Sequence, residues 1–341
     1  MIDTVRISII VSLSPEQLTP WVLHRTERNR KYREKWFYSV NIENGCVLKF
    51  TYHPRDYTGN PRLIVDTSLP KLLYGENYLM LNNVGPAIDK LNRILHEDPS
   101  LPNVDVGAGS LCRLDICFNY QVGSNVLMYL TGIRNLHYPR RTRDIYYNCS
   151  PNGNNHEDNG VKFRAKTVST TFYDKHLQCG NPLAEGLLRH EVSYKNSKSV
   201  EQALGTKKPT LRDVTREAMI SLLRKDLHKL NLHNAVLADE VTCLKMLKEK
   251  FSTNKAYRLY EALIFFRDNE KASKKELAKL REVTVQTINM WLREIKAAGI
   301  TPTVVETTKP LAPLDGLLSD QFEDKFSKLQ SNTIEITTEG G

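Results

Sequence analysis

The stretch Val161–Gln178, VKFRAKTVSTTFYDKHLQ, decides how the chain is read. Its β-branched and aromatic residues follow a polar Asn/Gly/Pro segment, Asn148–Gly160, which predicts a strand leaving a loop. Side chains alternate along a strand, so Ser169, Thr171, Tyr173 and Lys175 would share one face, with Val168, Thr170 and Phe172 on the other. A phenol and an ammonium side by side are either an accident of a surface or a nucleophile with the cation that steadies its charge.

Two further stretches have the same design. In Leu111–Asn119, LCRLDICFN, one face is Cys112, Leu114, Ile116 and Phe118, and the other carries Arg113 and Asp115. In Gly186–Lys195, GLLRHEVSYK, Arg189 and Glu191 oppose Leu188, His190, Val192 and Tyr194. If the three strands lie in one sheet with their apolar faces on the core, Asp115, Tyr173, Lys175, Glu191 and the two arginines converge on the opposite, open face. The competing reading makes Arg113–Asp115 and Arg189–Glu191 ion pairs on a solvated sheet face. His176 and His190 alternate away from Tyr173 and Glu191, which predicts hydrogen-bonded core histidines.

Outward from these strands, the alternation of Val5, Ile7, Ile9 and Val11 predicts a strand over 3–13, and Ser14-Pro15-Glu16-Gln17 a helix start. WFYSVNIE and CVLKFTYH flank Asn44-Gly45, predicting a hairpin over 36–53. Leu63–Thr67 reads as a strand, SLPKLLYGEN (68–77) as a turn-rich connection, and helices are expected from Gly85-Pro86 and over Asn125–Ile133. The order β-α-β-β-β-α-β-α-β-β implies an α+β domain over 1–205, a mostly antiparallel sheet with helices on one face. Helical periodicity then takes over in 206–305: Leu211–Leu230, Asn234–Phe251, Ala256–Arg267, and Ser273–Ile300, which reads as a helix-turn-helix. Residues 306–341 read as an acidic, partly disordered tail with one short helix around Ser319–Gln330.

Of 341 residues, 48 are basic and 39 acidic, a net charge of +9 that suggests a polyanionic partner. The segments 1–205 and 206–305 carry net +5 and +8, and 306–341 carries −4. Two basic stretches stand out. Arg25–Lys35, RTERNRKYREK, is a solvated helix end or loop, or a phosphate-contacting surface through Arg30 and Lys31. Arg134–Arg143, RNLHYPRRTR, interleaves Arg140, Arg141 and Arg143 with His137 and Tyr138, a mixture suited to single-stranded DNA. Six scattered cysteines without a C-x-x-C pair predict free thiols in a reducing compartment. The first residues resemble a signal peptide only loosely, and no stretch is long enough to span a membrane.

The chemistry this set could perform is phosphodiester transfer to a tyrosine. Asp115 and Glu191 offer hard oxygen ligands for Mg²⁺ or Mn²⁺, Lys175 can stabilise the phenolate, and Arg113 and Arg189 can clamp phosphates.

Taken together, the motifs resemble the filamentous-phage gene II replication initiators, the phage/plasmid replication protein II/X family. The resemblance covers roughly 1–215. It rests on the opening MID, on Pro70, Lys71, Gly75 and Asn77, on Arg113, Asp115 and Phe118 in CRLDICF, on Tyr173, Lys175 and His176 in FYDKHL, and on Arg189, Glu191 and Lys195 in LLRHEVSYK. It implies a rolling-circle Rep nuclease-like fold and a metal-dependent DNA endonuclease and strand transferase, with Tyr173 as the nicking nucleophile through a covalent 5′-phosphotyrosine intermediate. Lys195 joins the DNA-contacting set on the same ground. The implied partners are a double-stranded phage or plasmid replication origin, its displaced single strand, and a host helicase and polymerase, with no membrane, in the bacterial host cytoplasm. The chain departs from the wider rolling-circle nuclease class in having no His-x-His pair. Two other readings compete: a non-enzymatic helix-turn-helix repressor or partition-type protein, and a metal nuclease that uses water.

Overall fold

The computed structural model describes residues 1–28, 31–42, 44–56, 59–149, 156–269 and 272–321, with only the backbone described at 25–28, 31–33, 146–149 and 156–158. Its strands are β1 (Ile2–Ile10), β2 (Val22–Arg28), β3 (Lys31–Asn41), β4 (Val47–His53), β5 (Arg62–Ser68), β6 (Ser110–Gln121), β7 (Thr142–Cys149), β8 (His156–Arg164), β9 (Val168–Asp174) and β10 (Leu187–Tyr194). The helices are α1 (Pro15–Leu18), α2 (Leu69–Tyr74), α3 (Gly85–Glu97), α4 (Val126–Arg134), α5 (Lys175–Cys179), α6 (Ser197–Leu204), α7 (Arg216–Leu230), α8 (Glu240–Lys250), α9 (Thr253–Asp268), α10 (Lys274–Leu280) and α11 (Val285–Ala297). In hydrogen-bonding order the strands run β2-β3-β4-β5-β1-β6-β10-β9-β8-β7. The α+β class with a large antiparallel sheet is therefore as the sequence predicts.

The chain forms two compact units interleaved in sequence. One comprises Met1–Phe118, Ala165–Thr170 and Glu191–Leu223; the other comprises Asn119–Arg164, Thr171–His190 and Arg224–Gly341.

In the first unit, β1, β4 and β5 bury Val5, Ile7, Leu48, Phe50, Leu63 and Val65 together with Leu69 and Leu72 of α2 and Ile88 and Leu91 of α3. Their alternate residues stay on the other face, so the predicted one-sided sheet is present there. Within the 68–77 connection, Leu69–Tyr74 form a helix: Pro70 suits its first turn, and Gly75 ends it at φ 75, a left-handed conformation open to glycine. Of the basic stretch 25–35, the described residues 25–28 and 31–35 are strand, neither a helix end nor a loop. They form the β2–β3 ribbon, with Arg25 opposite Glu34 and Arg28 opposite Lys31. Its charges hide a β signal, because strands on a two-stranded ribbon need no apolar face. Arg30 lies outside the described residues, and so does the side chain of Lys31.

In the second unit, α8–α11 enclose a core of Cys243, Leu247, Leu259, Leu263, Phe266, Ile288 and Ile295. Residues 314–321 are helical and bury Leu314 and Leu318; the rest of the helix expected around 319–330, and of the tail, lies outside the described residues. Cys46, Cys112, Cys117, Cys179 and Cys243 are free thiols. No helix among the described residues is long and apolar enough to cross a membrane.

Candidate active site

The stretch 161–178 is not one strand. β8 ends at Arg164, a turn closes with the Ala165 N–H on the Val168 carbonyl at 2.9 Å, and β9 ends at Asp174. Asp174 caps α5, its Oδ1 accepting the Leu177 N–H at 3.0 Å, and Gly180 terminates the helix at φ 68. Tyr173 is therefore the penultimate strand residue and Lys175 the first helical one, so strict alternation does not relate them. They nonetheless stay close: Lys175 Nζ lies 5.8 Å from the centre of the Tyr173 ring. Tyr173 is half-buried and Lys175 fully buried, its ammonium donating to Gln178 Oε1 at 2.5 Å. Gly160 of β8 makes room for this corner. A Cβ there would stand 2.8 Å from both the Phe172 carbonyl oxygen and Tyr173 Cβ.

In the first unit, Arg113 and Asp115 share a face of β6, as predicted, but that face is not open. Asp115 is 2% exposed. Arg113 grips it at two points, Nε to Oδ1 at 3.1 Å and Nη2 to Oδ2 at 2.5 Å. Burial pushes the Asp115 carboxyl up from its ordinary value, opposed by Arg113 and by a hydrogen bond from Ser193, while nearby Asp3 pushes it further up. Burial also works against the Arg113 charge, yet Asp115, Asp66 and Glu191 hold its pKa above the usual value. Glu191 accepts from the Ser193 hydroxyl at 3.1 Å.

The positive charge that Asp115 and Glu191 share is thus a guanidinium. Among the described residues no group of three or more His, Cys, Asp or Glu side chains is arranged to hold a metal ion. With both Asp115 oxygens engaged by Arg113, the two carboxylates as folded here do not form a cage for Mg²⁺ or Mn²⁺.

Arg113 ends a row of charged residues that crosses β4, β5, β1 and β6 in the first unit. Lys49 stands opposite Asp66, Asp66 opposite Arg6, and Arg6 opposite Arg113. Arg6 donates to Asp66 through Nε at 2.9 Å and through Nη2. Beside this row lies a concavity of about 870 Å³ lined by Lys35, Phe37, Lys49, Thr51, His53 and Asp66, among others. Its floor combines ammonium groups with an exposed aromatic ring, Phe37, held edge-on by His24 at 4.8 Å.

Other predicted contacts are drawn inward. Arg189 has no exposed surface and donates to Asn119 Oδ1 at 2.7 Å, so in this fold it braces a strand and reaches no phosphate. Lys195 holds the β8–β9 turn, with Nζ on the Ala165 carbonyl at 3.3 Å. Tyr138 is buried, its hydroxyl donating to Asp226 Oδ1 at 2.7 Å, and the Arg141 guanidinium stacks on its ring at 3.7 Å. These two serve a buried polar network instead of stacking bases. Arg143 donates to the Arg134 carbonyl, and Arg140 alone of the three arginines is exposed, at φ 61. His190 is the core histidine predicted: Nε2 lies 3.0 Å from Asp226 Oδ2 and the ring stacks on Phe172 at 4.3 Å. His176 is only partly buried, with Nδ1 3.0 Å from the Asn181 carbonyl.

Sequence reasoning did not single out Asp3, a carboxylate acting on Asp115; its signal was an acid at the second position of a buried first strand, and its Oδ1 accepts from Ser68 at 2.9 Å. It also missed Gly160, a glycine inside a strand, which marks close backbone approach.

No protein-family profile matches the chain, and no curated protein matches it at a significant level. Among solved structures, the chain is similar to a rolling circle replication initiator protein from Geobacillus stearothermophilus, at 12% identity and a TM-score of 0.38 over 67% of this chain and 84% of that one. It is also similar to DynU16, a protein of the dynemicin biosynthetic locus, at 12% identity and a TM-score of 0.17 over 67% of this chain and 96% of that one. Both likenesses are too shallow to carry a functional conclusion.

Proposed function

We propose that the protein is a rolling-circle replication initiator that nicks one strand of a phage or plasmid origin through Tyr173 and later rejoins it. The observation that carries the reading is the Tyr173–Lys175 corner: a half-buried phenol beside a fully buried ammonium. A cation so placed favours the phenolate and the charge that builds on phosphorus during transfer.

The step balances as follows. The phenol gives its proton to water, its oxygen forms a bond to phosphorus, and the bond from phosphorus to the 3′ oxygen breaks. The 3′ oxygen takes up a proton and becomes the primer end, while the 5′ phosphate stays on Tyr173. Joining is the reverse, so closure needs no external energy source. The Lys35–Lys49–Phe37 concavity supports the reading as a path for the single strand, with phosphates on the ammonium groups and a base on the ring. Mg²⁺ or Mn²⁺ at Asp115 and Glu191 remains part of the proposal, on condition that Arg113 leaves the Asp115 oxygens when the ion binds. A host helicase and polymerase complete the proposed partners, in the bacterial host cytoplasm.

The test is a denaturing gel of the protein incubated with labelled supercoiled replicon DNA, with and without Mg²⁺. A protein–DNA adduct supports the proposal. Cleavage without an adduct indicates a nuclease that uses water, and binding without cleavage indicates a repressor or partition-type protein.

A further inference from the structure

The α10–α11 pair carries a surface that its packing does not use. The two helices are joined by a four-residue turn, 281–284, in which Glu282 takes φ 53, and each is capped, by Ser273 and by Thr284. Ile288 and Ile295 of α11 are buried in the helical core, and Glu294 is tied to Lys255 at 2.8 Å. What remains exposed on α11 includes Gln286, Asn289, Met290 and Arg293. Their spacing of three and four residues puts them on one stripe. Glutamine, asparagine and arginine are the side chains whose paired donors and acceptors match base edges in the major groove. Lys274 fixes this stripe from α10, donating to Asn289 Oδ1 at 2.8 Å.

A second observation points the same way. Lys274 at the start of α10 and Lys296 at the end of α11 lie near His137 and Arg143 of the basic stretch that leads into β7. Burial and these three cations hold His137 below its ordinary value; burial and Lys274 do the same to Lys296. Positive charge gathered beside the stripe favours a polyanion.

We propose that α11 reads double-stranded DNA, with Gln286, Asn289 and Arg293 facing base edges in the major groove and Lys274 and Lys296 holding the phosphates at its rim. This stands whether or not the protein nicks, because a non-enzymatic origin binder would use the same stripe.

The test uses the full chain carrying Tyr173→Phe, in EDTA, with a random 20-base-pair duplex library put through rounds of selection and then binding titrations. The expected result is a duplex consensus. Gln286→Ala and Arg293→Ala each weaken binding roughly tenfold and relax the consensus at one position. Arg293→Lys, which keeps the charge and leaves the fold undisturbed, relaxes it as alanine does because the two-pronged contact is lost. Lys274→Ala with Lys296→Ala weakens all duplexes alike and lowers the salt slope by about 2. A library that yields no consensus overturns the proposal, as does a consensus that the Gln286 and Arg293 variants bind unchanged. Nicking is read separately, as an adduct on supercoiled DNA, so either conclusion can fail without the other.

Discussion

Arg113 holds Asp115 through two hydrogen bonds along a single strand, Nε to Oδ1 at 3.1 Å and Nη2 to Oδ2 at 2.5 Å, with the carboxylate buried and the guanidinium about one-third exposed. Removing one partner of such a pair strands the other. Arg113→Met should lower stability by about 3 kcal/mol, read from urea unfolding. Adding Asp115→Leu to it should recover most of that loss, since an apolar pair of similar volume replaces a buried ion pair at little penalty.

Asp226 predicts a pH dependence. Burial alone would raise its pKa, but the hydrogen bond and charge of His190, with Arg141 and Tyr138, hold it below the ordinary value. A carboxyl whose folded pKa is depressed stabilises the fold above its unfolded pKa, about 3.9, and that stability is lost as pH falls through the folded value. The difference in urea midpoint between the parent and Asp226→Asn should therefore be largest near neutral pH and shrink below about pH 4. A constant difference across that range contradicts the assignment.

Gly160 sets the position of Tyr173. With the Phe172 carbonyl and Tyr173 Cβ each 2.8 Å from where a Cβ would stand, Gly160→Ala must push β8 off β9. The expected cost is about 1–3 kcal/mol of stability, with a disproportionate loss of any activity that depends on the Tyr173 phenol. Equal activity and stability would show that the corner tolerates displacement.

The concavity on the first unit predicts single-strand binding. Lys35→Ala with Lys49→Ala should weaken a poly-dT oligonucleotide and reduce the salt slope by about 1.4, roughly 0.7 per phosphate contact. Phe37→Ala should weaken it by about 1–3 kcal/mol with the slope unchanged. Fluorescence anisotropy at several salt concentrations separates the two effects.

The antiparallel sheet was legible because its apolar residues alternate: Leu48, Phe50 and Tyr52 in one strand, Leu63 and Val65 in the next. α10 and α11 were legible from Ser273 and Gly299 and from helical spacing between them. β2 and β7 were not, because their strands carry charge and polar residues where period two would show apolar ones. Alternation also failed at Lys175, where Asp174 starts a helix; the Asp…Gly bracket around KHLQC was the available signal. The burial of Asp115 and Arg189 was hidden for a different reason. Whether the polar face of a strand is covered depends on what packs there, and residues 114–120 of β6 are covered on both sides.

The central claim is that the Tyr173 phenol attacks DNA. The most direct measurement is peptide mass spectrometry of the adduct formed on supercoiled replicon DNA after nuclease digestion. The account predicts a nucleotide phosphate on the peptide containing Tyr173, and no adduct from Tyr173→Phe although that variant still binds DNA. An adduct mapped to another residue, or strand cleavage undiminished in Tyr173→Phe, would contradict it.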